Sequence, residues 1–308
     1  MLSTLKEIII GLFIFCLILV LYIHIQFHFK TSNNLEIYEI DDAAKSKIEE
    51  ICDLKQPVLL DFPTEENMDI IINTTNKDAL VTNYPIFEVK IKNKEDELYV
   101  PLSLNMAANL FTKDTNANYF SEDNMDFLQE TGVIKNMTSN DAFLRPYFVS
   151  TCYYDVLMGS NGIETALKYD INYRNYFVVT QGSIHVKLTY PKNTKYLHLI
   201  NDYENFEFKS PINPWSPQEK YKTSFDKVKF LEIILTPGKI LHIPAYWWYT
   251  FKFDDNTSVS CFKYRTYMNN IAISPNIFLY ALQNQNIEHK MTKSFDITEL
   301  QVKSEKQE

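Results

Sequence analysis

TPGKILHIPAYWWYTFKF, residues 236–253, reads as a tight turn, a short strand, an aromatic corner and a second strand. Pro237 presets one backbone angle of the turn and Gly238 accepts the other. Residues 240–243 are apolar and β-prone, and Pro244 ends their ladder because it has no N–H to donate. Tyr246, Trp247 and Trp248 then set three large rings side by side, which must pack into a core or line a pocket. Period-two alternation puts Tyr249 on one face with Phe251 and Phe253. Tyr246, Trp247 and Phe251 are therefore candidate pocket-lining residues, and Tyr246, Trp247 and Tyr249 could stack on a flat ligand such as a sugar.

Around this stretch the pattern predicts short strands over 165–169, 176–180, 184–190, 196–200, 230–235, 240–243, 249–253 and 258–262. Evenly spaced strands with turn chemistry between them indicate a β-barrel or sandwich. Residues 202–226 form an insertion too rich in proline for a helix, and its Phe206, Phe208, Trp215 and Tyr221 make either a contact surface or packing for the domain beneath. A helix is expected over 275–287, then a charged, frayed tail over 289–308. Upstream, 40–54 reads as a helix capped by Asp41 or Asp42, 57–62, 86–91 and 98–102 as strands, and 64–80 as helical or irregular. Residues 103–111 and 124–129 read as short helices, and 148–157 is an aromatic-rich run ending at Gly159.

The 308-residue chain carries a formal net charge of −9 and no basic cluster, which excludes a nucleic-acid surface. Cys16, Cys52, Cys152 and Cys261 are scattered without a CxxC, so neither a disulfide framework nor a zinc site is indicated. Residues 8–27, IIIGLFIFCLILVLYIHIQF, are nearly unbroken in apolar character and carry no acidic or basic charge. A bilayer-crossing helix needs about 20 such residues. A cleaved signal would show a shorter apolar run and a small-residue cleavage site, and a buried core helix would show polar positions at helical spacing; neither is present. The reading is a single-pass N-terminal membrane anchor, with His24 and His28 at its interfacial end. Sequons at Asn73, Asn136 and Asn256 lend weak support to a lumenal face.

Two stretches carry a family resemblance. GSNGIETALKYDINYRNYFVVTQGSIHVKLTYP, residues 159–191, resembles the strand–turn–strand run of the JmjC/cupin-like oxygenases, and 236–253 resembles their P-G…I-P-x-x-W-W-H corner. The resemblance covers roughly 57–262 and implies a double-stranded β-helix. In that family a His, an Asp two residues on and a distant His hold Fe(II), leaving positions open for 2-oxoglutarate and oxygen. A Thr and a Lys bind the cosubstrate carboxylate. Carried over by position, the triad becomes Lys168, Asp170 and Tyr249, and the cosubstrate positions become Thr165, Asn175 (one residue late) and Ile184. A protonated Lys cannot ligate a metal, and Ile offers no donor to a carboxylate. The wording NYRNYFVVTQGS and PAYWWYTFKF, with the apolar N-terminal segment, also resembles cupin-like membrane proteins encoded by large DNA viruses of algae and protists. That likeness implies a viral or virus-modified membrane.

His185 is adjacent to Ile184 and should face outward, while His242 sits between Leu241 and Ile243, which face the core. With His198 after a turn, all three read as surface or satisfied histidines rather than ligands. Lys168 and Asp170 share a face, so they should pair where the metal would sit, with Tyr249 donating to Asp170; alternatively Lys168 snorkels to solvent. The organisation expected is an anchor over 1–30, a linker and helix over 31–56, a barrel over 57–268 and a C-terminal helix and tail over 269–308. The functional expectation is a membrane-anchored, non-catalytic cupin-like binding or assembly module without cofactor. Its alternatives are an atypical 2-oxoglutarate-dependent hydroxylase or demethylase, and a small-ligand binder. Analogy makes the helix around 277–285 a dimer element.

Overall fold

The alternating second half of the chain folds as two sheets packed face to face. The computed structural model describes residues 2–41, 44–61, 65–94 and 99–285. α1 (Leu2–His24) runs into one π-helical turn (Ile25–Phe29). Then come β1 (Tyr38–Ile40), α2 (Lys45–Cys52), β2 (Val58–Asp61), α3 (Glu65–Thr75), α4 (Lys77–Asn83), β3 (Glu88–Asn93) and β4 (Tyr99–Ser103). α5 (Leu104–Lys113), β5 (Tyr119–Ser121), α6 (Met125–Glu130) and α7 (Val133–Asn140) complete the first half. The second half holds β6 (Val149–Gly159), β7 (Lys168–Tyr169), β8 (Arg174–Gln181), β9 (Ile184–Thr189), β10 (Ile200–Asp202) and β11 (Glu207–Lys209). It continues with α8 (Lys222–Phe225), β12 (Leu231–Leu235), β13 (Lys239–His242), β14 (Trp248–Phe253), β15 (Ser258–Thr266), α9 (Tyr267–Ala272) and α10 (Ser274–Gln285).

Among the described residues the larger sheet runs β1-β2-β13-β8-β15-β6-β5-β3-β4 and the smaller β10-β11-β7-β14-β9-β12. Neighbours are antiparallel except for the parallel β1–β2 pair at one edge. The chain changes sheet at every step from β6 to β9 and again at every step from β12 to β15, the winding of a cupin sandwich. Gly182 (φ +70°) makes the β8–β9 crossing and Gly238 (φ +92°) the β12–β13 crossing. One core lies between the sheets, around Phe177, Val186, Leu241, Trp247 and Phe251. A second lies between the larger sheet and the helices, around Ile48, Val58, Val178, Ile240 and Phe262.

The aromatic corner splits its rings across both faces of β14. Trp247 and Tyr249 point between the sheets, and Trp248 packs outward with Leu167, Leu197, Ile212 and Val228. Both indoles are fully buried, and each indole N–H finds an acceptor: the Lys55 carbonyl at 3.0 Å for Trp247 and Thr194 Oγ1 at 2.8 Å for Trp248. Burying each ring contributes on the order of 3 kcal/mol. Tyr246 takes φ +67°, held by its N–H to the Asp170 carbonyl at 2.8 Å.

Several expectations change. The 196–200 strand is replaced by a 3-10 turn (Pro191–Tyr196) and β10, because Pro191 favours a tight start. The 202–226 insertion is not wholly irregular: β11 extends the smaller sheet beside β7, and α8 is helical. Its aromatics pack down, Trp215 donating to Thr250 Oγ1 at 3.1 Å and Phe208 stacking on Tyr169 at 5.1 Å. The 40–54 helix begins only after Ala44 and has no side-chain cap, so Asp41 does not serve as one. Asp42, Phe62, Leu98 and 286–308 lie outside the described residues.

Candidate functional site

Tyr249 on β14 stands directly opposite Lys168 on β7, and Asp170 follows one residue beyond the end of β7. This brings the three triad positions to one end of the sandwich. The Tyr249 hydroxyl donates to Asp170 Oδ2 at 2.7 Å. Lys168, however, does not pair with Asp170. Its ammonium donates to Glu122 Oε2 at 2.7 Å, with Glu207 at 4.0 Å. The cation on Asp170 is Lys263 of β15, at 3.0 Å from Oδ2. The long Lys168 side chain reaches across to two converging carboxylates, while Lys263 points inward from within β15.

The electrostatics follow from this pairing. Burial pushes the Asp170 carboxyl up, and Lys263, Lys168 and the Tyr249 hydroxyl outweigh it, so Asp170 stays below the usual carboxylate range. Burial likewise opposes ionisation of Glu122, but Lys168 and Lys92, with the Lys168 and Tyr99 hydrogen bonds, hold it down to about 2. Lys168 is raised because Glu122, Glu207 and Asp170 outweigh its burial. The phenol of Tyr249 is pushed well up by burial and then by Asp170, so it remains a donor.

The cosubstrate positions are also committed to the protein. Ile184 is fully buried between the sheets. Thr165 Oγ1 accepts the Phe251 N–H at 2.9 Å, and Asn175 donates to the Ile243 carbonyl at 3.1 Å, tying β8 to the corner. The rings of Phe177, Tyr249 and Phe251 lie within 4.9–5.3 Å of one another and fill the interior beside Asp170.

A sequence profile of the cupin-like domain matches residues 64–269, two-thirds of the chain. The chain belongs to the cupin-like domain family. No match to a curated protein was found. At the positions that the resemblance assigns to Fe(II) and 2-oxoglutarate in this cupin-like domain, the side chains described do not fit those groups. One carboxylate at the triad positions can ligate, and it already holds an ammonium and a phenol. Among the described residues no group of three or more His, Cys, Asp or Glu side chains is arranged to hold a metal.

Beside this network opens a cavity of about 750 Å³, walled in part by Tyr99, Tyr153, Lys168, Asp170, Lys263 and Tyr280. The corner residues Tyr246, Trp247 and Phe251 do not line it. Trp247 and Phe251 are sealed between the sheets, and the Tyr246 hydroxyl lies 2.5 Å from His28 Nδ1 at the end of the N-terminal helix. Parity explains the difference: side chains facing inward from β14 meet a filled core, whereas the cavity lies at the sandwich's end.

His185 is half-exposed, 3.4 Å from Asp254. His242 is neither exposed nor satisfied: it is fully buried, and neither ring nitrogen has a hydrogen-bond partner among the described residues. It points to the helix-covered side of the larger sheet, against the Tyr176 ring at 5.1 Å. The residues that sequence reasoning missed are Glu122 and Lys263. The inward alternation Val259, Cys261, Lys263 was the available signal for the latter; a strand ended at residue 262 stops one position short of it.

Proposed function

We propose that the protein is a membrane-anchored, non-catalytic cupin-like module that binds a small polar ligand at the end of its sandwich. The observation that carries the reading is the protein's own occupation of the one metal-competent carboxylate: Asp170 is held by Tyr249 and Lys263. The cavity beside it supports the binding role. Its wall is acidic on balance, with Glu122, Asp123, Asp155, Asp170, Glu204 and Glu207 against Lys168, Lys263 and Arg265, and tyrosine hydroxyls and aromatic faces lie between them, a surface suited to a polyhydroxylated ligand that carries no negative charge. The integration of the N-terminal helix supports an anchor over a cleaved signal. Ile23 is buried, His24 donates to the Ala272 carbonyl at 3.1 Å, and Phe27 packs on Tyr173 at 5.4 Å. Cleavage after this segment would strip these contacts from the folded domain. The likeness to viral membrane proteins would set the module in a viral or virus-modified membrane.

Uncoupled 2-oxoglutarate turnover with iron and ascorbate tests the non-catalytic reading without a known substrate. The expected result is no turnover above the buffer and no stoichiometric iron in the purified full chain. Iron bound one-to-one in the wild type and lost in Asp170→Ala would overturn it. Calorimetric titration with a sugar panel tests the ligand class, with Lys263→Met as the variant expected to change any binding seen.

A further inference from the structure

The 267–285 stretch, YMNNIAISPNIFLYALQNQ, contains no acidic residue, no Lys, no Arg and no His. It forms α9 and α10, which turn apolar side chains outward: Tyr267, Met268, Ile271, Phe278 and Leu279 are all exposed, Phe278 by 64%. Beside it, Phe148 is 81% exposed and takes φ +57°, a left-handed backbone that L-residues adopt at a cost. The Phe148 carbonyl accepts the Tyr267 N–H at 3.3 Å, so loop tip and helix start are one surface. Tyr147, also exposed, extends it, and the Lys45 ammonium lies over its ring at 5.2 Å, at the rim of the surface.

What covers this surface follows from its neighbour. α9 packs against the last turns of α1, with His24 bonded to Ala272 and Ile23 buried in the contact. The apolar helix spans Thr4–Phe29. At 1.5 Å per residue, about 20 residues cross the hydrocarbon, so the α9 contact falls where the helix leaves the bilayer. An uncharged face rich in aromatic and amide side chains matches the interfacial zone, where rings sit at headgroup level.

We propose that α9, α10 and the 147–148 loop tip lie in the headgroup region of the bilayer as a second membrane contact, beside the spanning helix. The inference rests on the anchor reading. With no charge on α9 or α10 and the single Lys45 ammonium at the rim, the surface suits zwitterionic headgroups rather than an anionic membrane.

The test uses the full chain reconstituted in phosphatidylcholine vesicles, in a Cys16→Ser, Cys152→Ser background that leaves the buried Cys52 and Cys261 in place. An environment-sensitive fluorophore is attached at Phe148→Cys, Phe278→Cys, Phe13→Cys or Ile234→Cys. Ile234 is exposed on β12 at the far edge of the smaller sheet and reports water. Expected are blue-shifted emission at 148 and 278, and quenching there by doxyl-labelled lipid several-fold above that at 234. Quenching at 13 with water-like emission at 148 and 278 overturns this inference and leaves the anchor standing. Water-like emission at 13 overturns the anchor and this inference with it. Protection at 148 and 278 that grows with protein concentration in detergent, without lipid quenching in vesicles, makes the occupant a second copy and overturns the lipid assignment.

Discussion

At the residue scale, Lys263 is the group whose removal should matter most. Breaking a mostly buried pair by taking one partner leaves the other charge uncompensated, which costs about 3 kcal/mol. Lys263→Met should lower the urea midpoint accordingly, and adding Asp170→Asn should recover most of the loss; a double variant no better than the single would show that the pair is not the unit. His242 makes a second residue-scale prediction. Its imidazole is held well below 6.5 by burial, then by Arg174 and Lys55. The unfolded chain takes up this proton below about pH 6.5 and the folded chain does not, so the associated stability is complete above that pH and falls as pH drops. Asp155, pushed up to about 6 by burial, works in the opposite sense because its folded form takes a proton first. The difference between wild type and His242→Phe isolates the histidine: between pH 6 and 5 the wild type should lose about 1 kcal/mol relative to the variant, read from urea midpoints at each pH.

At the scale of elements, the glycines at two of the sheet crossings separate backbone strain from steric clash. A Cβ on Gly182 would meet Thr257 Oγ1 at 2.3 Å and Thr257 Cα at 2.9 Å, whereas one on Gly238 meets nothing within 4 Å. Gly238→Ala should cost about 1 kcal/mol of strain alone. Gly182→Ala should cost about 2–4 kcal/mol, because it also displaces the Thr257 hydroxyl that bonds both the Ser183 N–H and its carbonyl. Equal losses in chemical denaturation would refute the distinction. These elements were legible from sequence because turn residues and alternation are local signals: β8, β9, β13 and β14 fall within two residues of their expected ends. The hydrogen bond between Tyr249 and Asp170 also followed a period-two face. What local pattern cannot reach is the choice among partners distant in sequence. Glu122 arrives from just beyond β5 and Lys263 from β15, and nothing in the spacing around Lys168 announces either. The side of β13 on which His242 lies is closed by helices from the first half of the chain, so alternation alone read that histidine as surface or satisfied.

For the whole molecule, the apolar N-terminal helix and the cupin-like sandwich are joined by packing as well as by chain. After alkaline carbonate extraction the full chain should stay in the membrane pellet, and its mass should include the first 29 residues. A soluble product beginning after that segment would overturn the anchor. The same α10 whose Phe278 faces outward lends Ile277 and Tyr280 to the cavity wall. Because α1 is clamped to α9 by Ile23 and His24, the domain has no slack tether on which to swing. If α1 spans a membrane as proposed, the cavity mouth would be held at a fixed height and tilt, and a partner in the same membrane would meet it by a two-dimensional search. Effective concentration is then set by lateral density rather than by volume. A flexible spacer after residue 30, combined with Ile23→Ser and His24→Ala to release the clamp, would on that reading weaken capture of membrane-borne partners.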